Sequence, residues 1–440
     1  MALRSTGGAF FDLPVSAAGT NAGVAQARSR EDVGATFDAT ALGAGLLLAL
    51  SSSFGQTFFL SLFGGVWRSD FELSHGAFGG LYGAATLASA ASLIWLGKVV
   101  DHVAPSRIAI VLLTLTSVAA VWLSSAKSVY ALGVGLFAMR VIGQGLLSHL
   151  AMTTIAKWFD AARGRALAIA MLGFPIGEAA LPILAVAAME TLGWRGAWLA
   201  VASFSALFLA PLVFVLTSRA EKRAAVNTGP AGGNAPAPDA TSWRRSDAVR
   251  DWRFYALAPG LLATPFIVTS VLFHQAHLVE SKGWALKAFS SLFPIYATAA
   301  TAAALFCGRM VDAFGTPRVL TYFLTPLAAG LVLLSLSGDF LAGALFMTLA
   351  GATGGMATIV YTSIWPELYG SGHLGAIRAL AMSAMVLASA IGPALTGALL
   401  DAGVDLDDQL LAMSCYATLG ALSLLFLRPS LKRLERPNAP

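Results

Sequence analysis

Twelve long apolar runs limit what this chain can fold into. A helix needs about 20 apolar residues to span a lipid bilayer, and its backbone groups must pair within the helix because the hydrocarbon core holds no water. The sequence therefore predicts an all-α membrane protein with twelve transmembrane helices. We place the helices at 41–63, 76–96, 107–124, 129–150, 166–190, 194–216, 254–278, 288–310, 319–337, 340–364, 376–400 and 408–427.

The composition excludes most soluble classes of protein. Hydrophobic residues make up 57% of the chain and charged residues 12%, whereas soluble proteins carry about 25% charged residues. The two cysteines, Cys307 and Cys415, lie in apolar runs and suit neither a disulfide framework nor a metal site. No glycine-rich phosphate-binding loop is present. We therefore expect no enzyme activity, no cofactor and no bound metal.

The basic residues are distributed unevenly between the two sides of the predicted bundle. With the N-terminus inside, 22 Lys and Arg residues lie in cytoplasmic segments and 5 on the opposite side. This bias predicts that both termini are cytoplasmic. Topology thus accounts for the basic isoelectric point, and we expect no nucleic-acid partner. The predicted location is the bacterial inner membrane, as a multi-pass protein.

A polar stretch divides the chain into two equal halves. Residues 217–253 are rich in Gly and Pro and are predicted to be a flexible cytoplasmic linker. It separates two pseudo-symmetric six-helix bundles, at 41–216 and 254–427. Residues 1–40 are predicted to be a disordered cytoplasmic tail and 428–440 a second tail.

A short motif occurs once in each half, 211 residues apart. A glycine is followed by an aspartate four positions later and an arginine ten positions later, at the cytoplasmic end of a helix. An ion pair there can form in one state and break in another, which predicts a cytoplasmic gate. The alternative is a set of loop charges that only fix topology. The residues are Gly97, Asp101 and Arg107 in the first half, and Gly308, Arg309, Asp312 and Arg318 in the second.

Two charged residues lie within the predicted membrane spans. Arg140 is near the middle of the fourth helix and Glu178 near the middle of the fifth. A charge at such a depth costs about 2.5–3.5 kcal/mol, so the two side chains are expected to face the bundle interior. The internal repeat places Gly351 and Ile391 at the equivalent positions. Packing alone therefore does not require these charges, although a pair that only fastens two helices is the alternative.

Over nearly its whole length the chain resembles the major facilitator superfamily. Besides the repeated gate motif, the likeness rests on Arg140-Val-Ile-Gly-Gln-Gly145, Gly173-Phe-Pro-Ile-Gly177 and Gly193-Trp-Arg195. It implies two six-helix bundles, a central cavity and alternating access. Within the superfamily, the chain looks most similar to the bacterial oxalate/formate and monocarboxylate transporter group. It departs from that group in having no Lys or Arg inside the eighth and eleventh spans.

The resemblance implies a secondary transporter whose partners are a small-molecule substrate, protons and the lipid bilayer, and we expect a monomer. Our hypothesis is proton-coupled uptake of a small organic anion such as a monocarboxylate. In this mechanism Glu178 carries the proton, while Arg140 alternates between Glu178 and the substrate. One alternative is proton-driven efflux of a drug-like or toxic compound. Another, from a different class, is a transporter-like sensor that binds ligand without moving it.

Five further polar residues are predicted to line an outward-open cavity. Two histidines, His274 and His277, lie three positions apart and either titrate near neutral pH or form hydrogen bonds at the membrane interface. Two histidines without further ligands are not a metal site. The five predicted cavity residues are Gln56, Tyr82, His274, Gln275 and Tyr296.

Overall fold

The computed structural model describes residues 38–159, 163–227, 243–370 and 372–431. Most of the predicted tails, and residues 228–242 of the predicted linker, lie outside these ranges. The described part is built of helices, as predicted. We number the twelve membrane-crossing segments α1 (39–70), α2 (His75–Leu96), α3 (Pro105–Ser125), α4 (Val129–Trp158), α5 (163–192), α6 (194–227), α7 (Trp252–Phe273), α8 (Leu286–Phe314), α9 (316–336), α10 (Phe340–Tyr369), α11 (Leu374–Asp401) and α12 (Leu406–Leu427).

Not every crossing segment is one continuous helix. Within the described residues, nine stretches are long and apolar enough to cross a membrane, and one of them, Arg163–Arg223, holds both α5 and α6. Segment α1 is a helix pair bent by 48°. Segment α9 contains a 12-residue helix, Thr325–Leu336, preceded by turns. Together they give the predicted count of twelve.

Polar caps and glycines set the helix ends. The side chains of Ser74, Ser128 and Asp339 accept backbone N–H groups at the starts of α2, α4 and α10, which satisfies donors that a helix cannot pair internally. Gly193 has φ of 69°, in the left-handed region that favours glycine, and makes the turn between α5 and α6. The predicted boundary between the fifth and sixth helices is confirmed there.

The sixth and seventh helices differ from the prediction near the linker. Segment α6 continues to Asn227, and a short helix, Arg245–Arg250, precedes α7. Both lie inside the range predicted to be flexible. The short helix is held in place because Trp243 N–H donates to the Tyr369 carbonyl at 3.0 Å, and the Tyr369 hydroxyl donates to Asp251 at 3.1 Å.

The two halves pack internally in equivalent ways. In the first half α2 packs along α4 and α3 along α6; in the second half α8 packs along α10 and α9 along α12. The halves meet where α2 packs on α11 and α5 on α8. Backbones approach closely there, because a Cβ atom on Gly83 of α2 would lie 2.8 Å from the Ala390 carbonyl oxygen.

We call the end of the bundle that holds Asp38 and Leu431 the terminal end, and the opposite end the far end. Direct bonds join the two halves at the far end. Lys287 of α8 and Glu190 of α5 form an ion pair at 2.8 Å. The Asp401 carboxylate of α11 accepts the backbone N–H groups of His75 and Gly76 at the start of α2. These contacts close the far end in this conformation.

Candidate functional site

The first transmembrane segment is broken at its middle. Residues Ser52–Gly55 form a tight 3₁₀ turn, and Gln56 has an extended backbone with ψ of 154°. The hydroxyls of Ser51 and Ser52 donate to backbone carbonyls three or four residues back, which favours bending. Beyond the break, Phe59 N–H donates to Gln56 rather than to Gly55. The Gly55 carbonyl is thus available to a side chain.

The side chain of Arg140, on α4, binds the Gly55 carbonyl oxygen. Its side chain is 2% exposed, and Nη1 donates to the Gly55 carbonyl oxygen at 3.3 Å and to Thr57 Oγ1 at 3.4 Å. The guanidinium carbon also lies 5.1 Å from the ring centroid of Tyr82, close enough for a cation–π interaction. The Tyr82 hydroxyl in turn shares a 2.6 Å hydrogen bond with Thr57. Arg140 therefore binds α1 and α2 at the break.

Glycines allow α4 to come this close to α1. From Arg140 to Leu147 the helix has π-type geometry, a local widening that is frequent at functional sites. A Cβ on Gly143 would lie 2.6 Å from the Gly55 backbone nitrogen, and a Cβ on Gly55 would overlap the carbonyl oxygen of Met139. Either methyl group would collide with backbone atoms, so both positions require glycine for close packing.

The charge of Arg140 has no acidic partner in the part of the chain that the structure describes. Its Nε atom is buried and without a hydrogen-bond partner. Glu178 does not pair with it in this conformation. Glu178 is partly buried and lies on α5, the helix of the first half that packs against α8 of the second half. The predicted Arg140–Glu178 pair is therefore absent from the conformation seen here.

The five predicted cavity residues belong to a closed region instead of an open one. Tyr82, His274, Gln275 and Tyr296 are buried, and Gln56 is partly buried. Gln275 Nε2 donates to the Phe58 carbonyl at 3.2 Å and to Ser61 Oγ at 2.7 Å, so it joins the short helix after α7, Gln275–Ser281, to α1. Since the far end is shut, the outward-open cavity remains a prediction about another conformation.

Sequence reasoning missed several residues that this region uses. Thr57 shares the Arg140 contact, and Asp401 and His75 join α11 to α2. The signal available for Asp401 was weak, because the loop after α11 holds several aspartates and nothing in the sequence shows which of them reaches α2. Among the described residues, no group of three His, Cys, Asp or Glu side chains is arranged to hold a metal ion.

Comparison with known proteins agrees with this architecture. The profile of the Major Facilitator Superfamily matches residues 45–276 and 256–439. The chain belongs to the Major Facilitator Superfamily. The overlapping matches include both six-helix halves, so the superfamily likeness predicted from the motifs is confirmed. The narrower likeness to the oxalate/formate and monocarboxylate group stays a prediction.

The relatives of this superfamily member described below share at most 27% of their aligned residues with it. An uncharacterized 38 kDa protein in the 23S RNA operon of Thermoproteus tenax is 27% identical over 298 residues, which are 67% of this chain and 70% of that protein. A bacterial homolog of the human lysosomal transporter Spinster, crystallised inward-facing and unoccupied, is similar with a TM-score of 0.68 and 14% identity. This match covers 89% of this chain and 97% of that one.

A second solved structure has the same fold. The nucleoside transporter NupG is similar with a TM-score of 0.66 and 12% identity, over 88% of this chain and 99% of that one. At such identities the likeness shows the transporter fold alone.

The repeated gate motif of this superfamily member lies at the terminal end. Arg107, Arg309, Asp312 and Arg318 are exposed, and within the described ranges no ion pair involves them; the Asp101 side chain lies outside the described residues. A Cβ on Gly308 would meet open space, whereas a Cβ on Gly97 would lie 2.8 Å from the Leu93 carbonyl oxygen. Among the gate residues whose side chains the structure describes, no ion pair forms, and the gate remains a prediction about the opposite conformation.

The second half of this superfamily member packs without a charged residue at the position equivalent to Arg140. Gly351, the repeat equivalent of Arg140, has no side chain, so the backbone of Tyr296 lies directly against it. The nearby Gly355 admits Ala300 in the same way. Segments α8 and α10 thus pack closely where α2 and α4 surround a guanidinium. The asymmetry predicted from the repeat is present in the packing.

Proposed function

We propose that this protein is a secondary active transporter that takes up a small organic anion, such as a monocarboxylate, together with protons. The observation that carries the proposal is Arg140, a buried guanidinium with an unpartnered Nε and no acidic partner in the described structure. Alternating access, the mechanism expected of this superfamily, would move the substrate across the membrane. The residues inside the bundle supply the specificity.

A buried arginine without a counter-ion favours an anionic ligand. Desolvation of a lone charge costs several kcal/mol, and an anion that pairs with it recovers much of that cost. Arginine presents several N–H donors in one plane, which match the two oxygens of a carboxylate. Arg140 uses Nη1 on Gly55 and Thr57. Nε remains for the substrate, and α1 holds the guanidinium in position.

Glu178 is the proposed proton carrier. It lies at the contact between α5 and α8, which belong to different halves, and has no hydrogen bond or ion pair with other described residues. When the halves rock, the hydration of a carboxylate between them changes, and with it the preference for the charged form. A direct Arg140–Glu178 exchange is not required. Movement of the two halves couples the sites instead.

The conformation fits one stage of such a cycle. The far end is closed by Asp401, Gln275 and the Lys287–Glu190 pair. With both termini in the cytoplasm, as the charge distribution predicts, this is an inward-facing arrangement. The similar Spinster homolog was also crystallised inward-facing and unoccupied. The proposed location is the bacterial inner membrane.

The experiment is substrate-induced proton flux in proteoliposomes with an internal pH dye. Short carboxylates are added outside, beside neutral and cationic compounds, to wild type, Arg140→Gln and Arg140→Lys, with the exposed Arg250→Gln as a control. We expect carboxylates to drive protons inward in wild type and the control. Arg140→Gln should reduce the carboxylate-driven proton flux by about 30-fold or more, since truncating a buried charge contact costs about 2–5 kcal/mol.

A second readout separates recognition from misfolding. Thermal unfolding in detergent is recorded with and without carboxylate, and only a protein that binds the anion is stabilised by it. Arg140→Gln should unfold cooperatively but show no shift with carboxylate. Silence with carboxylates and a response to lipophilic cations would contradict anion uptake and favour proton-driven efflux, with Glu178 as the recognition residue.

A further inference from the structure

Three of the six histidines meet at the far end, between the two halves. His75 begins α2, while His274 and His277 lie beyond the end of α7 at Phe273. The ring centroids of His75 and His277 are 4.5 Å apart, and those of His75 and His274 are 5.9 Å apart. Only His274 and His277, which are close in the chain, were predicted to act together from the sequence. The third, His75, belongs to the other half of the bundle.

The hydrogen bonds show that His75 is neutral in the closed arrangement. Arg68 Nη1 lies 2.7 Å from His75 Nδ1, and because a guanidinium only donates, Nδ1 must be the acceptor. Protonation of that nitrogen would remove the bond and place two cations in contact. His274 Nε2 lies 3.0 Å from the Pro393 carbonyl oxygen of α11, so Nε2 is the donor there.

The groups around His274 and His277 disfavour protonation of their imidazole rings. Burial lowers the pKa of His274 to about 4, opposed by the Pro393 hydrogen bond and assisted by the nearby Arg68. Burial and Arg68 also lower the pKa of His277, against two acids. The charged and titratable groups that face the cluster are Arg68 from α1, His75 from α2, His274, His277 and Glu280 from the segment after α7, and Asp401 and Asp405 from α11 and the loop after it.

The same residues hold the far end shut. Asp401 accepts from the His75 backbone N–H at 2.9 Å and from Ser74 Oγ at 2.6 Å. The adjacent Gln275 bonds α1 of the first half, whereas the His274 bond to α11 lies within the second half and fixes the position of its ring. Opening this end must separate the rings and admit water. Hydration lets each imidazole take up a proton near its ordinary pKa of about 6.5.

We propose that His75, His274 and His277 form a second proton-binding site, separate from Glu178, whose occupation opens the far end. Under the predicted topology this site faces the external medium. The neutral histidines stabilise the closed form above about pH 6.5, and this stabilisation is lost as the pH falls toward 4. For His274 alone, the ratio of open to closed molecules should rise about 25-fold between pH 7.5 and pH 5.

The test measures conformation without substrate, so its outcome does not depend on anion transport. Spin labels are placed at Lys127→Cys and Gly338→Cys, exposed far-end positions on different halves, in a Cys307→Ala, Cys415→Ser background. Electron–electron distance distributions are recorded in nanodiscs from pH 7.5 to pH 5. We expect the longer distance to gain population by about 25-fold or more relative to the shorter one.

The variants decide whether the histidines are responsible. The triple variant His75→Gln, His274→Gln, His277→Gln should keep the short distance at both pH values. The terminal-end histidines provide controls, and His102→Gln and His373→Gln should respond as the parent does. If the triple variant does not fold, the partly exposed His277→Gln alone should show a smaller change. No pH response in the parent, or a full response in the histidine variants, would overturn the proposal.

Discussion

The guanidinium of Arg140 lies 3.3 Å from the carbonyl oxygen of Gly55, and this contact joins α4 to the break in α1. The break in α1 leaves the Gly55 carbonyl without its helical partner, and Arg140 has no counter-ion among the described residues. The hydrogen bond between them partly compensates for both deficits. The contact positions the free Nε of Arg140 within the bundle. Substrate recognition in the proposed mechanism is therefore linked to the shape of α1.

Gly55→Ala and Gly143→Ala should each destabilise the protein by about 1–3 kcal/mol, because the new methyl group meets backbone atoms that cannot move aside. The measurement is the thermal unfolding temperature in detergent. Gly80→Ala on α2 is the matched control, since a Cβ there has open space around it. Equal stability of Gly143→Ala and Gly80→Ala would contradict the close contact between α1 and α4.

Glu178→Gln should uncouple transport from the proton gradient. The variant cannot bind a proton at position 178, so exchange of labelled substrate should continue while gradient-driven accumulation falls to the level reached without a pH gradient. Uptake into proteoliposomes with and without an imposed pH gradient measures both. Glu190→Gln, on the same helix but in an exposed ion pair, should keep accumulation. Gradient-driven accumulation at the wild-type level in Glu178→Gln would exclude the proton role.

Asp401→Asn should shift the protein toward an open far end at every pH. The carboxylate accepts two backbone N–H groups and the Ser74 hydroxyl, and charge-assisted bonds at a helix start contribute about 0.5–2 kcal/mol. The spin-label pair at 127 and 338 reports the change. Asp408→Asn, an exposed acid in the first turn of α12, serves as the control. A distance distribution unchanged from the parent would mean that Asp401 does not hold the end shut.

Swapping the charges of Lys287 and Glu190 should show that this exposed ion pair contributes little to closure of the far end. The side chains are 67% and 46% exposed, and solvent reduces such pairs to about 1 kcal/mol or less. Lys287→Glu should open the far end slightly, and the added Glu190→Lys should restore closure. The same spin labels give the populations for a double-mutant cycle. A coupling energy well above about 1 kcal/mol would show that the pair is the main latch.

Much of the fold was predictable because it depends on local composition. The twelve apolar runs and the Gly193-Trp-Arg195 turn between α5 and α6 are each readable within a few residues. The break in α1 was not predicted. It depends on how Gly55 packs against α4, and a tertiary contact of this kind leaves little trace in hydropathy.

The candidate site was likewise predictable from the sequence only in part. The sequence alone identified Arg140 and Glu178 as unusual, because charges inside apolar runs are costly wherever they point. It also identified the repeat that showed packing does not need them. The expectation that the two pair in one state depends on helix rotation, and in this conformation Arg140 contacts Gly55 and Thr57 of α1.

By itself, the sequence determined that this chain crosses a membrane twelve times in two related halves. Each crossing is a local solution to the need to pair backbone groups in lipid. Only the tertiary structure decided which residues meet across those halves. His75 and His277 are separated by about two hundred residues, and Asp401 reaches the start of α2 from still farther along the chain. Such meetings follow from the packing of whole helices, which no single segment specifies.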